Sequence, residues 1–592
     1  MSEKTTKYHD RLTILRAEIK KAGLDGYILP RTDEFQGEFL APYAERLKWL
    51  TGFSGSAGAA VILDEKAVVM SDGRYTLQLK DQVDAQLYDT QDSTKASIGE
   101  WLVAHAPKGC VIGYDVWLYT SKQIEKMKEA LEGHDVTLEP VEGNLVDVIW
   151  SDQPKKPSAP ITLFPDDIAG RSAAQKRADI AQQLKDQNCA ACLITVGDSI
   201  CWLLNVRGGD IAYSPLCLSY ALLYADGTLD WFIDKDKVGD AAARTLGDAV
   251  RVYGFEDMLM RLKALGEGRL WLDRAVTPAW FSRAVAQRDI DILDEDDPCI
   301  ALKAIKTQSE QEAIRQAHVI DGVAVTKFLK WIDEHQNTIE ISELSAEQAL
   351  ENYRLEHDSY LGASFSTIAG FGGNGAIIHY RATNRTNALI KGDGLLLVDS
   401  GGQYQWGTTD ITRTIGIGQP SQEMKENYTR VLKGHIAVAS AVFPKDTAGK
   451  DIDALARRAL QEVGLDYAHG TGHGVGCYLC VHEKATHISP KEENAFRTGM
   501  VVSNEPGYYK ENAYGIRVEN LVLVCASDTP DHLCFETLTR APFDTSLIMR
   551  AMLDENENAW LSSYFKSVEQ DLKPHLSDAE YVWLTKRLKD YI

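Results

Sequence analysis

The sequence predicts an α/β (α+β) chain: two similar α/β domains, then a larger domain with a short C-terminal extension. Three observations lead there. The 592 residues exceed a single core, and ~150 residues per domain suggests about four units. Four of the 18 prolines fall between Pro154 and Pro165. Proline neither donates to a strand ladder nor continues a helix, so that stretch reads as an extended linker. Finally, the order of elements before the linker is repeated after it.

The first copy opens with a helix from Leu12 to Ala22 and a short strand, Gly26-Tyr27-Ile28-Leu29. Trp49-Leu50-Thr51-Gly52-Phe53 and an apolar strand, Ala59 to Leu63, follow. The second copy has a helix from Ser172 to Lys185, a strand at Ala191-Cys192-Leu193-Ile194, Trp202 to Val206, and an apolar strand, Ala221 to Tyr224. The acidic stretch Asp294 to Asp297, closed by Pro298, precedes Thr307-Gln308-Ser309-Glu310, a capping box opening a long helix. Ile314, Ala317, Ala324, Phe328 and Trp331 give that helix an apolar stripe. A second capping box, Ser577 with Glu580, opens a C-terminal helix with Tyr581, Leu584, Leu588 and Ile592 on one face. The expected boundaries are 1–153, a linker at 154–165, 166–303, 304–535 and an extension at 536–592.

Composition excludes several function classes. With 44% hydrophobic and 25% charged residues the chain is globular, not fibrous or disordered. Its net charge of −23 repels phosphate backbones and anionic lipid, so neither nucleic acid nor membrane is an expected partner. Ten cysteines are too few for a disulfide scaffold. The N-terminus is polar and has no apolar stretch before a small-residue cleavage site, so a cytoplasmic chain with reduced thiols is expected.

Several motifs fail on context. Gly370 to Gly375 matches G-x-G-x-x-G, but Ala376 to Tyr380 after it reads as a strand rather than the helix a dinucleotide site needs. Cys189-x-x-Cys192 stands alone and reads as two packed thiols. Cys477, Cys480, His482 and His487 lack the usual separation between two zinc-ligand pairs.

The stronger pattern runs from residue 399 to 519. Leu395 to Asp399 is an apolar strand ending in a carboxylate, Ser400-Gly401-Gly402 permits a reversal, and Gly407 to Thr414 reads as the return strand. Such a hairpin brings Asp399 and Asp410 side by side. Two buried carboxylates that close repel unless a proton or a metal intervenes. His473 sits among glycines, Glu505 at a strand end before Pro506-Gly507, and Arg517 and Glu519 share one face by strand alternation. Taken singly, each is an ordinary turn residue. The ordered set of four carboxylates and one imidazole is hard and oxygen-rich. It suits two divalent ions, with Mn²⁺, Co²⁺ or Zn²⁺ each plausible.

The wording VDSGGQY, GTTDITRT, GTGHGVG, NEPGYY and RVEN resembles the creatinase/methionine-aminopeptidase (pita-bread) fold of peptidase family M24. Within it, the chain is similar to the long, three-domain Xaa-Pro aminopeptidases. TGFSGSAGAAVI from Thr51, Asp72-Gly73-Arg74-Tyr75, and Glu536-Thr537-Leu538-Thr539 extend the likeness along the chain. The resemblance implies two creatinase-N-terminal-like domains before a pita-bread catalytic domain. It implies release of an N-terminal residue preceding proline by a water bridging two ions. Asp399 would bind one metal, Asp410 and Glu519 both, and His473 and Glu505 the second, with Glu505 also the general base. Arg517 would orient Asp399. His379 and His482 would contact the scissile carbonyl and the oxyanion, His469 would line the proline pocket, and Arg74 would reach the substrate. A homodimer is also implied.

The chain departs from the family pattern at Cys480 and at Lys484-Ala485-Thr486, beside the expected cleft rather than in the ligand set. A prolidase, acting on Xaa-Pro dipeptides, would use the same ligands, but the long N-terminal half and C-terminal tail favour the aminopeptidase. A metal-free, non-catalytic pita-bread protein that binds peptides is the reading of another class. The presence of all five ligands argues against it.

Overall fold

Both halves of the N-terminal region fold on one plan. The structure, a computed structural model, describes residues 3–592 apart from 267, 287 and 289. In the first half, strands β1 (Gly26–Pro30), β2 (Ala59–Leu63), β3 (Ala67–Ser71), β4 (Asp89–Asp92), β5 (Cys110–Asp115) and β6 (Val136–Val141) form a sheet of order β4-β3-β2-β1-β5-β6. In the second, β7 (Cys189–Ile194), β8 (Tyr220–Tyr224), β9 (Leu229–Phe232), β10 (Val250–Tyr253), β11 (Arg269–Leu272) and β12 (Ile292–Leu293) repeat it as β10-β9-β8-β7-β11-β12. The senses repeat as well. β2 and β8 run antiparallel to β1 and β7, while β5 and β11 run parallel to them. The central strands are apolar on both faces, as buried strands of such sheets are.

The helices before β1 and β7 span Glu3–Lys21 and Ala173–Asp186, the second opened by a Ser172–Gln175 capping box. The Trp49 and Trp202 segments, unassigned in the sequence, are short helices, Arg46–Thr51 and Gly197–Leu204. Cys189 and Cys192 both lie in β7, where residues three apart face opposite sides of the sheet, so the C-x-x-C spacing makes no pair. Contacts divide the chain into one unit of residues 1–164 and 172–299 and another of 165–171 and 300–592. Within the first, Trp117 stacks on Trp280 with ring centroids 4.4 Å apart, joining the two sheets' cores.

The second unit opens with α1 (Gln308–His335), capped by Thr307 and Glu310 as the sequence predicts, followed by α2 (Glu343–Arg354). Strands β13 (Ile368–Phe371), β14 (Gly394–Ser400) and β15 (Ile411–Ile417) make an antiparallel sheet. Helices α3 (Gln422–Ala439) and α4 (Gly449–Gln461) come next. Strands β16 (Val442–Pro444), β17 (Gly472–Gly474), β18 (Glu483–Ile488), β19 (Val501–Asn504), β20 (Gly507–Lys510), β21 (Tyr514–Arg517), β22 (Asn520–Ala526) and β23 (His532–Thr537) follow, and the short strands Tyr360–Ala363, Gly402–Tyr404 and Gly407–Thr408 form a small sheet of their own. Six of them form a second sheet of order β16-β23-β22-β19-β17-β18; β20 pairs with β21. The C-terminal helices α5 (Glu555–Leu572) and α6 (Asp578–Leu588) bury Leu561, Phe565, Leu584 and Leu588. α6 ends at Leu588, so Ile592 leaves the predicted face and is 45% exposed.

Two local readings are corrected. Ala376 to Tyr380 is a turn, not a strand. The Glu343 carboxylate gathers the Phe371 N–H, Asn374 Nδ2, Tyr380 Oη and the Ala388 N–H within 2.8–2.9 Å, drawing the segment around one buried acceptor. The hairpin reverses beyond Tyr404, not at Ser400 to Gly402. Gln403 pairs with Thr408 and Tyr404 with Gly407.

Candidate metal centre

Each acidic residue in the predicted set stands at or beside the end of a strand. Asp399 is the penultimate residue of β14, opposite Thr412; Asp410 directly precedes β15. Asn504 pairs with Asn520, so Glu505 and Glu519 are the next residues outward on neighbouring strands. His473 is the middle residue of β17, between Gly472 and Gly474. A side chain at 472 would run into the Ser503 carbonyl oxygen, so glycine is what lets β17 lie this close to β19.

These elements converge. Asp410, His473 and Glu519 each offer a ligand atom, all within 4.8 Å of one another, and they are the metal-binding group found among the described residues. His473 Nε2 lies 3.4 Å from Asp410 Oδ2 and 3.5 Å from Glu505 Oε1. Its Nδ1–H donates to the Gly474 carbonyl at 3.0 Å, which turns Nε2 toward the carboxylates. Arg517 Nη2 donates to Asp399 Oδ2 at 2.5 Å, while the buried Asp399 Oδ1 has no hydrogen-bond partner among the described residues. Thr412 joins the two sheets: its Oγ1 donates to Glu519 Oε2 at 2.6 Å and accepts from Arg517 Nε at 3.2 Å.

The electrostatics carry the same signature. Burial, together with mutual repulsion among the acids, raises Asp399 and lifts Glu519 well above the usual carboxylate range. Glu505 is pushed up to about 7 by burial and by Asp410 and Asp399, against His473 and Arg517. Burial would lower His473, but Asp410 and Glu505 carry it up to about 9. Four buried carboxylates around one imidazole and one guanidinium, with an orphaned oxygen on Asp399, are donors of the kind and number that hard divalent ions take.

Residues 312–526 match the metallopeptidase family M24. Residues 11–149 and 152–310 each match a creatinase/prolidase N-terminal domain, and 531–591 match the C-terminal region of the peptidase family. The Xaa-Pro aminopeptidase ApepP of Drosophila melanogaster is 36% identical over 100% of both chains. The chain belongs to the Xaa-Pro aminopeptidase family of M24 metallopeptidases. The crystal structure of a Caenorhabditis elegans X-prolyl aminopeptidase, described as a cytosolic enzyme with a di-nuclear active site, superposes with a TM-score of 0.93. It is 30% identical, covering 98% of this chain and 99% of that one. The Pyrococcus horikoshii prolidase shares the fold over 62% of this chain and 99% of its own, at 24% identity and a TM-score of 0.51. The fold is thus the expected one: two creatinase-type α/β domains followed by an M24 domain.

The other predicted residues of this family member fall in two places. His482 is exposed, and its ring stands edge-on to His473 at 4.4 Å. His469 is half-buried and driven down to about 3, first by desolvation and then by Arg517, with the charge of His379 acting in the same direction. Arg74 lies in the other unit, where its Nε and Nη2 hold Asp72 at 2.8 and 2.7 Å. Cys477 donates to the Trp406 carbonyl, and the Cys477/Cys480 set forms no metal-binding group among the described residues.

Sequence reasoning missed Tyr509. Its hydroxyl accepts from Arg517 Nη1 at 2.7 Å and meets His469 Nε2 at 2.8 Å, linking the candidate proline pocket to the arginine that holds Asp399. Its place in NEPGYY, four residues after Glu505, was the available signal.

Proposed function

We propose that the chain is a two-metal aminopeptidase hydrolysing the bond between an N-terminal residue and a penultimate proline. The observation that carries this is the convergence of Asp410, His473 and Glu519 donor atoms in a chain alike to Xaa-Pro aminopeptidases along its whole length. Proline's ring replaces the N–H that ordinary proteases recognise, so such a bond needs a dedicated pocket. Two divalent ions, when bound, supply Lewis acidity and an acidified water.

The chain's residues do the rest. Asp399, Asp410, His473, Glu505 and Glu519 would hold the two ions, Asp410 and Glu519 serving both, Asp399 the first and His473 and Glu505 the second. Glu505 would accept a proton from the attacking water and pass it to the leaving amine. Arg517 fixes the orientation of Asp399. His379 and His482 bind the scissile carbonyl and stabilise the developing oxyanion. His469 lines the proline pocket, and Arg74 is a proposed substrate-binding residue. The boundaries proposed are 1–153, 154–165, 166–303, 304–535 and 536–592. Mn²⁺ is the proposed metal, a cytoplasmic homodimer the proposed state; no helix among the described residues is long and apolar enough to cross a membrane.

The test is product analysis after incubating chelator-treated, Mn²⁺-restored enzyme with an Xaa-Pro-Xaa tripeptide and an Xaa-Pro dipeptide. Release of the first residue from the tripeptide is expected. Cleavage of the dipeptide alone would make the enzyme a prolidase, and cleavage of neither would refute the proposal.

A further inference from the structure

A buried ion pair in the catalytic unit is bonded to neighbours of both candidate aspartate ligands. Asp321 lies on α1 and Arg354 closes α2, far in sequence from the metal centre. Both are buried, at 3% and 1% exposure. Arg354 Nε donates to Asp321 Oδ1 at 2.8 Å and Nη2 to Oδ2 at 3.4 Å. Desolvating two charges offsets most of what their attraction returns, so such a pair is weak evidence for stability and raises the question of what it specifies.

Its remaining bonds answer that. Arg354 Nη2 donates to Ser400 Oγ at 3.0 Å, and Ser400 is the residue after Asp399. Asp321 Oδ2 accepts from Thr409 Oγ1 at 3.0 Å, and Thr409 is the residue before Asp410. Asp321 Oδ1 accepts from Tyr404 Oη at 2.7 Å, at the reversal of the same hairpin. One pair therefore grips both arms of the hairpin beside the two aspartates, and its tip as well. Asp399 itself pairs with Thr412 and Ser400 with Ile411, and beyond them the Thr409 N–H donates to the Gly402 carbonyl at 2.8 Å before Gln403 pairs with Thr408. The ladder holds the two backbones side by side; the ion pair adds side-chain bonds to the residue after Asp399 and the residue before Asp410.

We propose that the Asp321–Arg354 pair is a positioning device that sets the separation of the Asp399 and Asp410 carboxylates and so the chain's affinity for its divalent ions. This rests on the reading of Asp399 and Asp410 as ligands. The ion pair touches neither substrate nor metal; it acts through Ser400 and Thr409.

The experiment measures Mn²⁺ dissociation constants by calorimetry on the chelator-treated full chain, with melting temperature, kcat and KM alongside. The variants are Asp321→Asn, Arg354→Lys and the milder Ser400→Ala and Thr409→Val, each of which removes one link. Asp410→Asn tests the ligand reading, and Phe328→Leu, in the buried core of α1, tests a purely structural defect. Asp321→Asn and Arg354→Lys should weaken Mn²⁺ binding tenfold or more, with KM at saturating Mn²⁺ within twofold of wild type. Ser400→Ala and Thr409→Val should weaken it about threefold, which keeps the test decisive if the charge variants fail to fold. Phe328→Leu should melt lower and bind Mn²⁺ normally. Wild-type Mn²⁺ affinity in the clamp variants, with affinity lost in Asp410→Asn, would overturn the positioning role and leave the ligand reading intact. Wild-type affinity in Asp410→Asn would overturn both.

Discussion

Replacing Arg517 with glutamine should disable the enzyme without unfolding it. The guanidinium is 2% exposed and makes three side-chain bonds: to Asp399 Oδ2 at 2.5 Å, Tyr509 Oη at 2.7 Å and Thr412 Oγ1 at 3.2 Å. Asp399 is 8% exposed, and its other oxygen has no hydrogen-bond partner among the described residues. Breaking a buried pair by removing one partner costs about 3–5 kcal/mol. Each ~1.4 kcal/mol is a factor of ten. If most of that loss falls on the orientation of Asp399, kcat should drop roughly 10²- to 10³-fold. Arg517→Lys keeps the charge but not the fork, and should fall between. The assay is initial rates on an Xaa-Pro-Xaa peptide at saturating Mn²⁺, with the metal-to-protein ratio measured on the same samples. Arg517→Gln within threefold of wild-type kcat would refute the reasoning, because it would mean that Asp399 needs no partner to hold its place.

Glu505→Gln should lower kcat by about 10²- to 10⁴-fold, the range of a lost general base, and alter the acid limb of the pH–rate profile; an unchanged profile would count against that role. His482→Ala should reduce kcat by roughly 10²-fold, as loss of an oxyanion donor does, while leaving Mn²⁺ content unchanged; a variant depleted of metal would make His482 a ligand instead. His435 gives a pH test. Burial, helped by Arg413, pushes it down to about 3 against about 6.5 unfolded, so below pH 6.5 only the unfolded chain takes up the proton. Its stabilising effect is full above 6.5 and lost as pH falls, and the advantage of wild type over His435→Gln in melting experiments should shrink by roughly 3 kcal/mol between pH 6.5 and 4.5; an advantage that grows on acidification would reverse the sign.

What the sequence made legible was local. The duplicated domains showed because each copy carries its own helix, apolar strand and tryptophan segment in one order, and two sheets of the same topology result. The candidate ligands showed because each stands beside a glycine or at the end of an apolar run. What stayed hidden depends on partners far along the chain. Glu343 turns residues 371–388 around itself from 28 to 45 positions away, so an apolar stretch that reads as a strand cannot extend. The hairpin reverses late because Tyr404 is tied to Asp321 and Gln403 to the Leu479 carbonyl. Thr412 and Tyr509 are ordinary in a strand. Nothing in their periodicity shows that one bridges two sheets and the other joins an imidazole to a guanidinium.

The division of the centre between two sheets explains why it needs ions at all. The aspartates come from the sheet of β13 to β15, and the glutamates from the sheet that holds β19 and β22. Where the sheets meet, four carboxylates face Arg517, paired with Asp399, and one imidazole, His473, while Arg413 donates to backbone carbonyls, among them that of Glu519 at 2.6 Å. Between the sheets, Thr412 satisfies a single oxygen of Glu519 and the Glu519 N–H donates to the Thr412 carbonyl at 3.3 Å. Those two hydrogen bonds do not offset the burial and mutual repulsion that lift Asp399, Glu505 and Glu519 together. A fold free to choose would replace such acids with apolar groups or pair each with a base. Here the surrounding bonds, from Arg517, Thr412, Ser503 and the Asp321–Arg354 pair, orient the acids without neutralising them. That is the arrangement expected where the missing charge is brought by divalent ions rather than by the polypeptide.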